Sequence, residues 1–186
     1  MFKVVRRASS DVTRKKMKRS ILTLTILMLL AIAASSQASL KVGSPAPAFS
    51  GIALDGTEYD LDRLRGSVVV MTFWSTRCAI CHYELPRLNA LADRFKGQRV
   101  FLLALSMEAD DIIKAYLKKN SFKFRVLPNS FGTVLTYADR GKSGNLDMGF
   151  PSFYVLDKSG TLRYRASGYD KTEGVAAAVD RLLAKQ

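Results

Sequence analysis

The chain has two cysteines, Cys78 and Cys81, separated by Ala79 and Ile80. Thiols at this spacing can close and open a disulfide with each other, so the pair suits reversible dithiol–disulfide chemistry. The attacking species in such exchange is the thiolate, and a free cysteine is mostly protonated near neutral pH. A helix N-terminus, with its unpaired N–H groups and partial positive charge, favours the thiolate. An apolar run from Val68 to Phe73 leads into the pair and a helical pattern follows it. Cys78 therefore falls at a strand-to-helix junction and is the expected nucleophile. Cys81, one turn further in, is expected to be more shielded and to resolve the mixed disulfide by attacking Cys78. Arg77 either lowers the Cys78 pKa further or points into solvent.

Other residues bear on the pair. Glu84 follows Cys81 by three residues, on the adjacent helical face. It either exchanges a proton with Cys81 or is a first-turn acid complementing the helix dipole. Trp74 either caps the site or is a large core or rim residue. Pro151 follows Gly149-Phe150 and opens a strand; it is either a plain edge device or the second half of a cis peptide. Cys78-Ala79-Ile80-Cys81-His82 also reads as C-x-x-C-H, the attachment pattern for c-type haem, with Met107 or Met148 as conceivable axial ligands. The apolar strand directly before the motif argues against a haem pocket, and a rim histidine is the favoured reading of His82. Two cysteines and the sole histidine lack a fourth ligand unless a carboxylate or water supplies it. No metal and no cofactor is expected. A dithiol that holds copper without turnover is the binding-module alternative, and a peroxiredoxin-like role fits the local context of Cys78 less well.

The elements that must position these residues follow from the hydrophobic pattern. Phe49–Leu54 and Thr57–Leu61 flank Asp55-Gly56, a hairpin signal. Val68–Phe73 is continuous, apolar and β-branched, which suits a central strand covered on both faces. Arg77–Lys96 is helical by spacing, with Pro86 expected to kink it and Gly97 to close it. Val100–Ser106 reads as a strand, Asp110–Asn120 as an amphipathic helix, Phe122–Leu127 as a strand and Phe131–Arg140 as a short helix. A Gly-rich loop, 141–149, precedes a strand over Pro151–Leu156. A turn at Lys158-Ser159-Gly160 joins that strand to Leu162–Arg165, and Thr172–Lys185 closes the chain as a helix. The order is hairpin, βαβαβ, then ββα, which predicts an α/β fold with a mixed central sheet flanked by helices.

The formal charge of +13 resembles a nucleic-acid signal. Residues 1–38 hold eight Lys/Arg and one Asp, which leaves 21 Lys/Arg and 15 Asp/Glu, or +6, for residues 39–186. In that remainder the bases are scattered among acids, so no nucleic-acid partner is expected. The leader has a positive region, Arg14 to Arg19, then the apolar stretch Ile21–Ala34, shorter than the ~20 residues a bilayer span needs. Ser36-Gln37-Ala38 supplies a small-x-small cleavage site. Residues 1–38 thus read as a signal peptide and 39–186 as the mature domain, with initiation at Met1 or Met17. An uncleaved leader would instead anchor the protein through residues 21–34. Either way the domain is exported, and a periplasmic or other extracytoplasmic location is expected. There, paired cysteines are often structural. A four-residue disulfide loop adds little stability, however, and a domain of this size needs no staple, so redox use is the stronger reading.

Beyond the cysteines, 41–185 resembles the TlpA/ResA-like branch of the thioredoxin superfamily. The resemblance rests on Val42-Gly43-Ser44-Pro45-Ala46-Pro47-Ala48-Phe49, on Leu64–Val70 followed by Phe73-Trp74, on Cys81-His82-Tyr83-Glu84-Leu85-Pro86, and on Gly149-Phe150-Pro151 through Gly160. It implies a thioredoxin fold with an N-terminal hairpin and an inserted helix-strand element. It implies that Pro151 is cis and forms the wall against which a substrate strand lies. Trp74, Arg77 and Phe150 are the expected substrate-facing neighbours, and Glu84 the acid/base partner. The thioredoxin strand position that carries a buried Asp is here Thr72. Arg77 stands where the branch usually has Trp, and Ala79-Ile80 replaces its usual proline, which leaves the direction of electron flow open. The activity implied is thiol-disulfide oxidoreduction, reductase in type, on disulfide-containing exported proteins, with apo-cytochrome c and copper-protein cysteines among the substrate classes. A membrane-bound thiol donor would re-reduce the protein, and a monomer is expected.

Overall fold

Val68–Phe73 forms strand β3, and all six of its residues are buried. A strand buried on both faces needs helices or further layers above and below it. The computed structural model, which describes residues 40–141 and 143–184, supplies both. The expected signal peptide or anchor, with its expected cleavage site and the choice of initiator, lies outside the described residues.

β3 pairs in parallel with β4 (Val100–Leu105), and β4 in parallel with β5 (Arg125–Leu127). On its other side β3 pairs antiparallel with β8 (Ser152–Leu156), which pairs antiparallel with β9 (Leu162–Ser167). The sheet order is β5-β4-β3-β8-β9. Between β3 and β4 lies helix α1 (Ala79–Arg94); α2 (Asp110–Leu117) and α3 (Phe131–Tyr137) lie between β4 and β8, and α4 (Thr172–Ala184) closes the chain. This is the thioredoxin fold: a βαβ half and a ββα half, with β5 and α3 inserted between them.

The two-residue period of β3 divides the core. Val68 and Val70 point to one face with Trp74, Cys81, Leu88, Leu91 and Val179. Val69, Met71 and Phe73 point to the other, with Tyr59, Tyr137, Tyr154 and Leu156. The hairpin β1 (Ser50–Ile52) and β2 (Glu58–Asp60) covers the second face. It is tied to the sheet edge by the Leu54 N–H donating to the Val126 carbonyl at 2.9 Å. Its loop takes Gly56 at φ +82°, a left-handed conformation that favours glycine.

Several boundaries move, each for a local reason. Helix α1 begins at Ala79 rather than Arg77, because Cys78 is extended and caps it. Pro86 lies inside α1, which ends at Arg94 rather than Lys96, with Phe95 as its C-cap. Strand β5 starts at Arg125 rather than Phe122, as only its last three residues pair with β4. The helix expected to reach Arg140 ends at Tyr137, and Asp139–Arg140 (β6) instead pairs with Leu146–Asp147 (β7) in the stretch that read as a loop. Among the described residues no helix is long and apolar enough to cross a membrane.

Candidate active site

The chain leaves the sheet at Phe73 and reaches α1 through Trp74–Arg77. Cys78 is the N-cap, with φ −87° and ψ 106°, and its Sγ accepts from the Cys81 N–H at 3.1 Å. The sulfur thus occupies the place of the capping oxygen that helix N-termini usually recruit. Cys78 and Cys81 are joined as a disulfide, with Cα atoms 5.2 Å apart. Cys81 is 3% exposed, whereas Cys78 is only partly buried.

The Phe150–Pro151 peptide is cis. The Phe150 carbonyl lies 3.5 Å from Cys78 Sγ, and the Pro151 carbonyl accepts from the Gly168 N–H at 2.8 Å. The strand opening at Pro151 therefore stands beside the cysteines, though some 70 residues separate them in sequence. A cleft of about 570 Å³ opens next to Cys78, between Arg77 on the loop, Phe150, Met107 on the β4–α2 connection and Ile112 on α2.

Trp74 borders this cleft but is 2% exposed; its ring packs on Tyr116 and Phe122 at 5.6 and 5.2 Å. Of the two expectations for Trp74, the core residue describes its place, and little of the ring is open to a substrate. Arg77 is 86% exposed, with Nε 3.7 Å from Glu108 Oε1. Thr72 is fully buried and its hydroxyl has no hydrogen-bond partner among the described residues.

Glu84 is not a first-turn acid. The first turn of α1 holds no acidic residue, and Glu84 sits in the second turn with its side chain wholly buried. Its carboxylate accepts from Arg87 Nη1 at 2.8 Å, the Asp170 N–H at 3.0 Å and the Thr172 hydroxyl at 3.0 Å. Burial of a charge demands such partners. The Arg87 guanidinium lies over the adjacent rings of Tyr83 and Tyr169, 5.4 and 5.3 Å from their centroids.

His82 is exposed, and its Nε2 lies 2.6 Å from the Thr76 carbonyl. A carbonyl only accepts, so Nε2 carries the proton. That nitrogen is committed to the loop, a poor arrangement for a haem ligand. Met107 lines the cleft, while Met148 packs with the opposite core face. Among the described residues no three His, Cys, Asp or Glu side chains are grouped to hold a metal.

Glu108 is the site residue that sequence reasoning missed. Its side chain is 8% exposed. It accepts from the Thr76 N–H and hydroxyl, both at 2.8 Å, from Ser75 Oγ at 3.0 Å and from Ser106 Oγ at 3.1 Å. Burial pushes its carboxyl up, but these donors outweigh burial and hold it below the ordinary carboxylate value. Nothing in the spacing from Cys78 announces it; the only local signal is an acid three residues past the end of a largely buried apolar strand.

The AhpC/TSA family model matches residues 42–165. Thiol-disulfide oxidoreductase ResA of Bacillus cereus is 28% identical over 141 residues, covering 75% of this chain and 77% of that relative. ResA of Geobacillus kaustophilus is 26% identical over 164 residues, covering 83% and 90%. In fold, the chain is similar to a thiol:disulfide interchange protein of the thioredoxin family from Chlorobium tepidum, at a TM-score of 0.64 and 22% identity over 77% of this chain and 98% of that one. It is likewise similar to the exposed lipoprotein thioredoxin Etrx1 of Streptococcus pneumoniae, at a TM-score of 0.59 and 22% identity over 73% of this chain and 100% of that one. With the family model spanning two thirds of the sequence, the chain belongs to the AhpC/TSA family, within it to the TlpA/ResA-like thiol-disulfide oxidoreductases.

Proposed function

We propose that the protein is an exported protein-disulfide reductase in which Cys78 attacks and Cys81 resolves. One observation carries this reading: the partly exposed sulfur of Cys78 caps α1 at the edge of a cleft, while Cys81 is shut in the core. In the reduced protein the Cys78 thiolate attacks one sulfur of a partner disulfide. A mixed disulfide forms and the partner's other sulfur leaves as a thiolate, which takes a proton. Cys81 then loses its proton and attacks Cys78 Sγ, expelling the partner's second sulfur. Two electrons pass to the partner, and Cys78–Cys81 ends as the disulfide. Glu84 receives the Cys81 proton, and Pro151 with Phe150 aligns the partner backbone beside Cys78. Arg77, open to solvent at the mouth of the cleft, meets the partner, and Trp74 supports the cleft from beneath.

The leader Arg14–Ala38 supports a location outside the cytosol, either released or anchored. Partners there are exported proteins with disulfides, including apo-cytochrome c or copper-protein cysteines, and a membrane-bound thiol donor regenerates the dithiol. Cys78→Ser is expected to abolish insulin disulfide reduction; retained turnover overturns the scheme. Cys81→Ser is expected to accumulate mixed disulfides through Cys78, and mass spectrometry of these adducts identifies the partners. Peroxide consumption faster than insulin reduction would overturn the assignment of substrate class.

A further inference from the structure

Every hydrogen-bonding group of Thr76, two residues before Cys78, is held. Its N–H and hydroxyl donate to Glu108, at the β4–α2 connection, and its carbonyl accepts from His82, on α1. Ser75 donates to the same carboxylate, then accepts from the Arg77 N–H at 3.1 Å through its hydroxyl and from the Cys78 N–H at 3.2 Å through its carbonyl. Segment 75–77 therefore cannot shift without breaking bonds to Glu108, and Cys78 is carried on it. The same carboxylate lies on the wall of the cleft that holds Cys78, with the Arg77 guanidinium drawn toward it.

We propose that Glu108 is a positioning residue that also sets the poise of the Cys78–Cys81 pair. By holding segment 75–77 it presents Cys78 to the cleft. By placing a fixed negative charge there, and by neutralising part of the Arg77 charge, it disfavours the Cys78 thiolate. The dithiol form is thereby destabilised relative to the disulfide, and a pair so biased gives up electrons more readily. Among the described residues, the charged and titratable groups around Cys78 are Arg77 from the loop, Glu108 from the β4–α2 connection, and Cys81 and His82 from α1; the segment before β8 contributes the uncharged Phe150 carbonyl. This inference rests on the reading of Cys78 as the attacking thiol.

Glu108→Gln tests the charge alone. The amide oxygen still accepts from the Thr76 N–H, and the hydroxyls can reverse roles toward the amide N–H₂. The rate of Cys78 alkylation by iodoacetamide, followed against pH in the reduced protein, is expected to show a midpoint lowered by about one unit. The glutathione redox equilibrium is expected to move toward the dithiol, by up to about tenfold for a one-unit shift. A midpoint unmoved or raised overturns the charge effect. Glu108→Ala tests positioning, since it strands the Thr76 N–H. At a pH where Cys78 is fully ionised, its attack on a small disulfide is expected to be at least tenfold slower than that of Glu108→Gln. Equal rates overturn positioning, and if the Ala variant does not fold, Thr76→Val, which removes a donor to Glu108 and keeps its charge, is measured against wild type with the same two outcomes. A wild-type protein without a measurable dithiol–disulfide couple overturns the Cys78 reading; a normal wild-type couple that Glu108→Gln leaves unmoved overturns this inference alone.

Discussion

At the residue scale, two buried carboxylates flank the pair in different settings. Glu84 lies one turn beyond Cys81 and is satisfied by Arg87, the Asp170 amide and the Thr172 hydroxyl. Glu108, on the β4–α2 connection, is satisfied by Ser106 and by Ser75 and Thr76 of the loop that precedes Cys78. Replacing Glu84 by Gln keeps one acceptor and removes the charge. If Glu84 takes the Cys81 proton, release of the mixed disulfide is expected to slow by roughly a hundredfold, while the first attack by Cys78 is unchanged. Stopped-flow measurement of the two phases checks this, and equal slowing of both phases contradicts it. The Arg87 partner is 40% exposed, so losing the ion pair is expected to cost about 1 kcal/mol rather than the larger penalty of a fully buried pair. Urea unfolding of the variant measures that cost.

At the element scale, the β8–β9 hairpin holds the cis-proline strand against β3, and its turn depends on Asp157. Burial opposes ionisation of Asp157, but Ser159, the Thr161 N–H and Arg163 donate to it and bring its pKa down to about 2. The ordinary value is 3.8, so the folded pKa is depressed. The contribution to stability is therefore present above pH ~4 and is lost as pH falls toward ~2. A shift of nearly two units corresponds to about 2 kcal/mol for a side chain 14% exposed. Asp157→Asn is expected to unfold more easily than wild type at pH 7 by up to about that amount, with the gap closing as pH falls to about 2. Chemical denaturation at pH 7, 4 and 2 checks this. A gap that persists at pH 2 assigns the effect to shape rather than charge.

At the scale of the whole molecule, the redox pair and the fold share one thermodynamic cycle. Oxidised and reduced forms each have an unfolding free energy, and the unfolded chain does not hold Glu108 near Cys78. A tenfold shift of the folded couple toward the dithiol must reappear as a change of about 1.4 kcal/mol in the difference between the two unfolding free energies. Glu108→Gln is thus expected to stabilise the reduced form relative to the oxidised one by the amount its glutathione equilibrium shifts. Denaturant unfolding of both forms measures this, and a mismatch means that the substitution reorganises the loop instead of changing its field.

The legibility of this protein divides by range. The Cys78–Cys81 pair, the strand before it and the helix after it were readable because an apolar run and a three- or four-residue spacing are local properties of backbone and burial. The hairpin at Gly56 and the closing helix α4 were readable for the same reason. Boundaries were not, since the start of α1 depends on a sulfur taking the cap position and the start of β5 on where β4 lies. The β6–β7 pairing was hidden because two-residue strands have no period to read. The sequence alone determined which residues could exchange electrons. Tertiary structure decided what surrounds them: it buried Trp74, tied Glu84 to Asp170 and Thr172, and brought Glu108 beneath the Cys78 loop. Glu108 and Thr76 are 32 residues apart and Glu84 and Thr172 are 88 apart, and only the packing of separate elements on a common sheet makes them neighbours.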